Sequence, residues 1–187
     1  MTIAFKPTAT ETTIEHNGSA IATLDSTGLT MASGKTISGS GVGKVLQVVQ
    51  STKTDIFSTS STSYTDITGL SVSITPSSTS SKILIMTTVT MGKQSGGGDG
   101  VVQLLRDSTA IGNSTGVTNP SFGMLSASYP NQTYTIGINY LDSPSTTSSI
   151  TYKIQTRTDL GSVYVNRRGI DTGWGGSSTI TVMEVAG

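Results

Sequence analysis

The sequence predicts an all-β protein: a β-sandwich or barrel head preceded by an extended, glycine-punctuated N-terminal arm. Three observations carry this expectation. Ser and Thr supply 62 of the 187 residues, with 22 Gly beside them, too much β-branched threonine and too little Ala, Leu, Glu and Lys for helices. Apolar residues recur at every second position in several runs. Turn signals separate those runs at short, regular spacing. Hydrophobic residues make up only 34%, below the usual ~45–50%. Disorder would ordinarily come with high net charge, and here the net charge is zero. A folded chain whose exposed strand faces are Ser and Thr satisfies both facts.

The same composition excludes several function classes. There is no Cys, hence no disulfide framework, no thiolate nucleophile and no Cys-based zinc site. One His rules out a multi-His metal cluster. With 11 basic and 11 acidic residues, there is no basic field for nucleic acid. The longest apolar runs fall far short of the roughly 20 residues that cross a bilayer. The opening MTIAFKPTAT lacks the apolar core of a signal peptide. No metal, no cofactor, no nucleic-acid partner and no membrane insertion is therefore expected. Zero net charge with many strands invites edge-to-edge association, so the edges are expected to be consumed in a defined oligomer.

Residues 1–43 form the arm. Their apolar residues are sparse: Ile3, Phe5, Ile14, Ile21, Leu24, Leu29, Met31 and Ile37. Gly18, Gly28, Gly34, Gly39, Gly41 and Gly43 divide the segment into pieces too short for a core. Alone it buries too little apolar surface to offset backbone ordering. It is disordered, or an arm on a partner, or one of several identical strands winding together, and LDSTGLTMASGKTISGSG suits the last. Ile3, Phe5, Ile14, Ile21 and Leu24 are the candidate attachment residues. Gly39-Ser40-Gly41-Val42-Gly43 reads as a hinge; its alternating glycines follow no clear strand and open no helix, as a phosphate loop requires.

Residues 44–187 form the head. KVLQVVQ, Lys44 to Gln50, opens it with a short apolar strand. Leu70, Val72 and Ile74 alternate with Ser71, Ser73 and Thr75 until Pro76 and the serine cluster end the run. Ile83, Ile85, Val89 and Met91 share one face of the next strand, and Leu84 and Met86 add apolar groups to the other, which predicts a central strand covered on both sides. SGGGDG leads into VVQLLRD. Tyr134, Ile136, Ile138 and Tyr140 alternate in the following strand, Asp142-Ser143-Pro144-Ser145 turns the chain, and Ile150, Tyr152 and Ile154 alternate after it. Ile180 to Val185 closes the head. About eight to ten strands and no helix are expected.

The segment GKVLQVVQSTKTDIFSTSSTSYTDITGLSVSITPSSTSSKILIM, the turn LDSPSTTSSITYKIQT, the element VNRRGIDTG and the ending STITVMEVAG resemble a domain of tailed-bacteriophage virion proteins. The likeness is to the trimeric jelly-roll (tumour-necrosis-factor-like) heads of phage fibre and capsid decoration proteins, and it spans residues 44–187. It implies a jelly-roll-like β-sandwich, a homotrimer and contacts with other virion proteins, and it implies no catalytic residue.

The residues themselves offer little chemistry. His16 lies in the polar turn EHNG beside Glu15, whose adjacency in sequence points it elsewhere. Asp99, Asp107, Asp142, Asp159 and Asp171 are scattered, and no spacing selects two of them for glycoside cleavage. Asp99 in SGGGDG lacks the further oxygen donors of a calcium loop. More informative is the run from Arg167 to Gly176, RRGIDTGWGG, with the only Trp and the only adjacent basic pair. Arg and Trp are enriched at interface hot spots, and Trp stacks on sugar faces. Arg167, Arg168, Asp171 and Trp174 are thus the candidate interface or ligand contacts. The alternative is structural: a long loop whose Trp174 covers the end of its own barrel or fills a pocket in the trimer.

With the resemblance, these observations lead to an expected function without catalysis: a homotrimeric capsid decoration (cement) or head-fibre protein of a bacteriophage, on the particle surface. The competing expectation is a short tail fibre whose head binds a host surface glycan or receptor.

Overall fold

Alternation of Thr or Ser with Val, Ile or Leu sets the secondary structure, since a strand turns successive side chains to opposite faces. The computed structural model describes residues 3–8, 10–35, 45–94, 96, 98–126 and 129–187, all as strands, turns and loops without a helix. The chain divides into two compact units, Met1–Gly43 and Lys44–Gly187. The expected hinge, Gly39 to Gly43, lies outside the described residues.

In the first unit, β1 (Ile3–Pro7), β2 (Glu11–His16), β3 (Ser19–Asp25) and β4 (Gly28–Met31) form an antiparallel meander in that order. The sequence reading favoured one of several identical strands winding together; the segment instead pairs with itself, for a local reason. Asn17 and Gly18 adopt φ of 50° and 78°, the two positive values a type I′ hairpin turn requires. Gly18 and Gly34, which read as interruptions, sit in turns. Ala22 is the buried apolar residue of this unit among those described. Register puts Phe5 opposite Ile14, Ile14 opposite Ala22 and Ala22 opposite Met31, one apolar row over a single layer.

The second unit holds β5 (Val45–Lys53), β6 (Phe57–Thr59), β7 (Thr65–Ile74), β8 (Lys82–Lys93), β9 (Asp99–Arg106), β10 (Thr109–Ile111), β11 (Gly123–Ser126), β12 (Tyr134–Asp142), β13 (Ile150–Thr158), β14 (Val163–Val165) and β15 (Ser178–Val185). Each expected long strand is present. Four short ones (β6, β10, β11 and β14) were not foreseen, and β8 is central as predicted, bonded to β15, β12 and β14.

Strand order identifies the architecture. Take β5, β7, β8, β9, β11, β12, β13 and β15 as first to eighth. One sheet then runs first, eighth, third, sixth, and the other second, seventh, fourth, fifth, all antiparallel. That interleaving is the double-sheet jelly roll. β10 and β11 share one edge of β9, as two halves of an interrupted strand.

The core lies between the sheets. Ile83, Ile85, Val89, Met91, Ile180 and Val182 face Leu70, Val72, Leu104, Tyr152 and Ile154 within one apolar cluster. A polar link crosses it. Tyr152 of β13 donates to Asp142 Oδ2 of β12 at 2.7 Å, and Arg106 of β9 donates to both Asp142 oxygens at 3.0 Å. Burial, and then the Asp142 contact, push the Tyr152 phenol far above its ordinary range. A second buried carboxylate, Glu184, accepts from the Ser77 N–H and hydroxyl at 2.7 Å and from Gln47 Nε2 at 2.6 Å.

Candidate functional site

Asn166 is the root of the Arg-Gly loop. Its φ of 63° is left-handed, a conformation Asn tolerates better than most residues. Its Nδ2 donates to the carbonyls of Lys53 and Asp55 at 2.9 Å, and its Oδ1 accepts from Ser178 Oγ at 2.6 Å. These bonds tie the loop to the end of β5 and the start of β15. The residue is 2% exposed, and its amide is fully engaged by those three bonds.

Glycines then bring the loop against the sheet. A Cβ on Gly169 would collide with the Lys93 carbonyl, one on Gly92 with the Arg167 carbonyl, and one on Gly175 with the Asn166 carbonyl. An antiparallel bridge joins Arg167 to Gly175, and Ile170 N–H donates to the Pro130 carbonyl at 2.9 Å. The close approach these glycines allow is to the chain's own backbone. Lys93, beneath the loop, is 1% exposed and donates its Nζ to the Leu160 carbonyl. Burial lowers its pKa, against the opposing pull of Asp159 and Asp99.

Of the four candidate residues, the structure pairs two. Arg168 Nε and Nη2 donate to the two oxygens of Asp171 at 2.6 and 2.8 Å. Gly173 N–H adds a bond to Asp171 Oδ1 at 2.8 Å. The Arg168 bond, followed by the Gly173 N–H, lowers the Asp171 carboxyl, and Asp171 in turn raises Arg168. Arg167 turns away and stacks its guanidinium 3.6 Å from the centroid of Tyr164. Trp174 is 71% exposed. At that exposure it does not cover the end of its own barrel; the Asn166 and glycine contacts hold the backbone on either side of it. Ile170 beside it is also exposed.

The arm candidates sit in the other unit. Ile3 (59%), Phe5 (67%) and Leu24 (50%) are exposed, whereas Ile14 and Ile21 are half-buried. Ile21 falls at the register shift between β2 and β3. His16 ends β2 with its Nε2 buried, and Glu15 is taken by Lys6 at 2.7 Å.

Four of the five scattered carboxylates make structural bonds. Asp142 holds Tyr152 and Arg106, Asp171 holds Arg168, and Asp107 accepts from Thr151 N–H at 2.9 Å. Asp159 accepts from the Asp99 N–H, which brings those two residues together. Among the described residues no three His, Cys, Asp or Glu side chains gather into a metal-binding group. A shallow groove lies elsewhere on the head, lined by Tyr64, Gln103, Asn113, Asn119, Pro120 and Arg157. Sequence reasoning missed it because its residues come from four separate segments.

No family model and no curated protein matches the sequence. Among solved structures, the T13 particle of infectious bursal disease virus is similar with a TM-score of 0.43 and 14% identity, over 94% of this chain and 45% of that one. The Gt strain of the same virus gives 0.40 and 14%, over 95% and 48%. Its VP2 subviral particle gives 0.34 and 16%, over 94% and 47%. The chain thus spans about half the length of the solved structures it matches, and the jelly-roll assignment rests on its own strand order.

Proposed function

We propose that this chain is a non-enzymatic structural protein of a bacteriophage particle, a homotrimeric capsid decoration or head-fibre protein. The unequal pair of units carries the reading. The head encloses a full sandwich core, whereas the N-terminal unit is, among the described residues, a single layer whose apolar row, Phe5–Ile14–Ala22–Met31, has no second layer in that unit. A single sheet layer needs another layer to bury its face. A self-sufficient head on an incomplete arm is the anatomy of a protein fixed to a larger scaffold. The resemblance of residues 44–187 to phage fibre and decoration heads supports the same reading, as does the commitment of the Asp107, Asp142, Asp159, Asp171 and Glu184 carboxylates to structural bonds.

The experiment strips the protein from particles and adds it back. The full chain rebinds; a chain starting at Lys44 folds and does not. Rebinding by the shorter chain would place attachment in the head and refute the two-part scheme.

One observation favours a second reading, a short tail fibre that binds a host surface glycan. Trp174 stands exposed on an anchored backbone beside the internally neutralised Arg168–Asp171 pair. A rigid indole suits the apolar face of a sugar ring. Under this reading Trp174→Ala abolishes binding to host cells while the head melts as before; unchanged cell binding removes it.

A further inference from the structure

The shallow groove lies on the sheet of β7, β13, β9 and β10, not on the sheet that roots the Trp loop. Its floor is Gln103 of β9 and Arg157 of β13, and its walls are residues 62–64, ahead of β7, and 113–120, between β10 and β11. It holds about 590 Å³, within the roughly 300–1,000 Å³ of small-molecule sites. Both walls are tied down by the chain itself. Tyr64 donates its hydroxyl to the Pro120 carbonyl at 2.8 Å, which joins one wall to the other. Thr158 N–H donates to the Ser61 carbonyl at 2.9 Å, and Ser114 N–H to the Ser121 carbonyl at 3.0 Å.

Charge singles out Arg157. It is the charged member of the groove lining among the described residues, it is half-buried, and no described carboxylate pairs with it. Its guanidinium lies 5.3 Å from the centroid of the Tyr64 ring. Stacking of this kind fixes the guanidinium plane and leaves its N–H edge for an acceptor. Asp99 and Asp159 line a smaller hollow that Arg157 also borders, so an anion is repelled there and meets Arg157 from the groove. A row of amides sets the polarity of the floor. Asp66 accepts from Lys153 Nζ at 2.9 Å and from Gln155 Nε2 at 2.6 Å. Those two bonds, Lys153 first, lower the Asp66 carboxyl, so Asp66 acts only as an acceptor. Gln155 Oε1 then accepts from Gln103 Nε2 at 2.6 Å, and Gln103 Oε1 from Asn113 Nδ2 at 3.2 Å. The row ends at Asn113 Oδ1, which is buried with no partner. An acceptor left that way calls for a donor.

We propose that this groove binds an acidic sugar, a uronate. Arg157 takes the carboxylate through two parallel N–H bonds, and Asn113 Oδ1 takes a ring hydroxyl. A neutral sugar leaves Arg157 unpaired, and a bare dianion such as sulfate brings no donor to Asn113. Thr62, Ser63 and Asn119 offer polar partners to the remaining hydroxyls, whereas Ala110 and Pro120 alone give apolar contact in the lining, which suits a polyol better than a peptide side chain. The inference is independent of Trp174 and of where the protein sits on the particle.

Ligand-observed NMR titration of the full chain with glucuronate, trigalacturonate, glucose and tetraglutamate tests it. Both acids, or one of them, bind, and glucose and tetraglutamate bind at least about tenfold more weakly, the factor a charged hydrogen bond supplies. Tighter binding of trigalacturonate marks a uronate within a polysaccharide, and tighter binding of glucuronate a free acid. Arg157→Gln weakens the acids roughly ten- to a hundredfold with an unchanged strand spectrum. Should that variant misfold, Asn119→Asp decides: at an exposed position bordering Arg157, its carboxylate repels the acid and lowers its affinity. Binding of neither acid overturns the proposal, as does glucose or tetraglutamate binding as tightly as the acids. A folded Arg157→Gln or Asn119→Asp chain that binds the acids as before also overturns it.

Discussion

Three side chains show how much of the head depends on single groups. Truncating a buried Trp costs about 3–5 kcal/mol, which is what the sequence-based expectation for Trp174 implied. At 71% exposure the expected cost of Trp174→Ala is instead within roughly 0.5 kcal/mol, the usual range for surface substitutions. Thermal unfolding checks it, and a large drop in melting temperature would mean that another copy buries the indole. Asn166→Ala behaves oppositely. It removes the bonds to Lys53, Asp55 and Ser178 and puts Ala at a positive φ, so at least about 3 kcal/mol is expected, from roughly 1 kcal/mol per bond with the backbone strain on top. Denaturant unfolding of the variant measures it. Glu184 gives a pH prediction. Burial raises its pKa, but the Ser77 and Gln47 hydrogen bonds outweigh burial and hold it at about 2, against an ordinary 4.5. A carboxylate depressed in the folded state stabilises fully above its unfolded pKa. That contribution is present above pH 4.5 and is lost as pH falls towards 2. Glu184→Gln should flatten the acid limb of a stability-versus-pH curve; an unchanged limb would exclude Glu184 as its source.

At the scale of elements, legibility followed strand length. Leu70–Val72–Ile74, Ile83–Ile85 with Val89–Met91, and Ile150–Tyr152–Ile154 repeat the two-residue period often enough to be read, and all are buried as read. β6, β10 and β14 have three residues each, too few for a period, and long-range pairing decides them. β11 exists because Gly123–Ser126 lies along β9, a contact no local pattern encodes. The β2–β3 hairpin carried a usable signal, Asn17-Gly18 between two alternating runs, that a reading of glycine as a breaker hides. The Trp loop was half legible: its residue types marked it, but its anchoring came from Lys53 and Asp55, far away in sequence, as well as from Ser178 just past the loop. Gly169→Ala tests that anchoring. The added methyl meets the Lys93 backbone carbonyl, which cannot swing aside as a side chain would. A loss of at least about 2 kcal/mol is expected, within the overpacking range. Melting equal to the unaltered chain would show that the loop is not pinned there.

At the scale of the whole molecule, two units with unequal cores carry the functional account. The jelly-roll head closes its own apolar interior, and the N-terminal sheet does not. The sequence showed this imbalance through the sparse apolar residues of its first 43 positions, although it did not show that they pair into a sheet. On the proposed reading a partner completes that sheet, and a partner's residues leave no trace in the spacing of this chain's own. The most direct test of the account is therefore position on the particle. Antibodies raised against the head and carried on gold, viewed by electron microscopy of intact phage, should decorate the capsid face at many sites. Particles of the producing phage that carry no label anywhere, from preparations in which the purified chain is readily labelled, would contradict the claim that this is a virion protein.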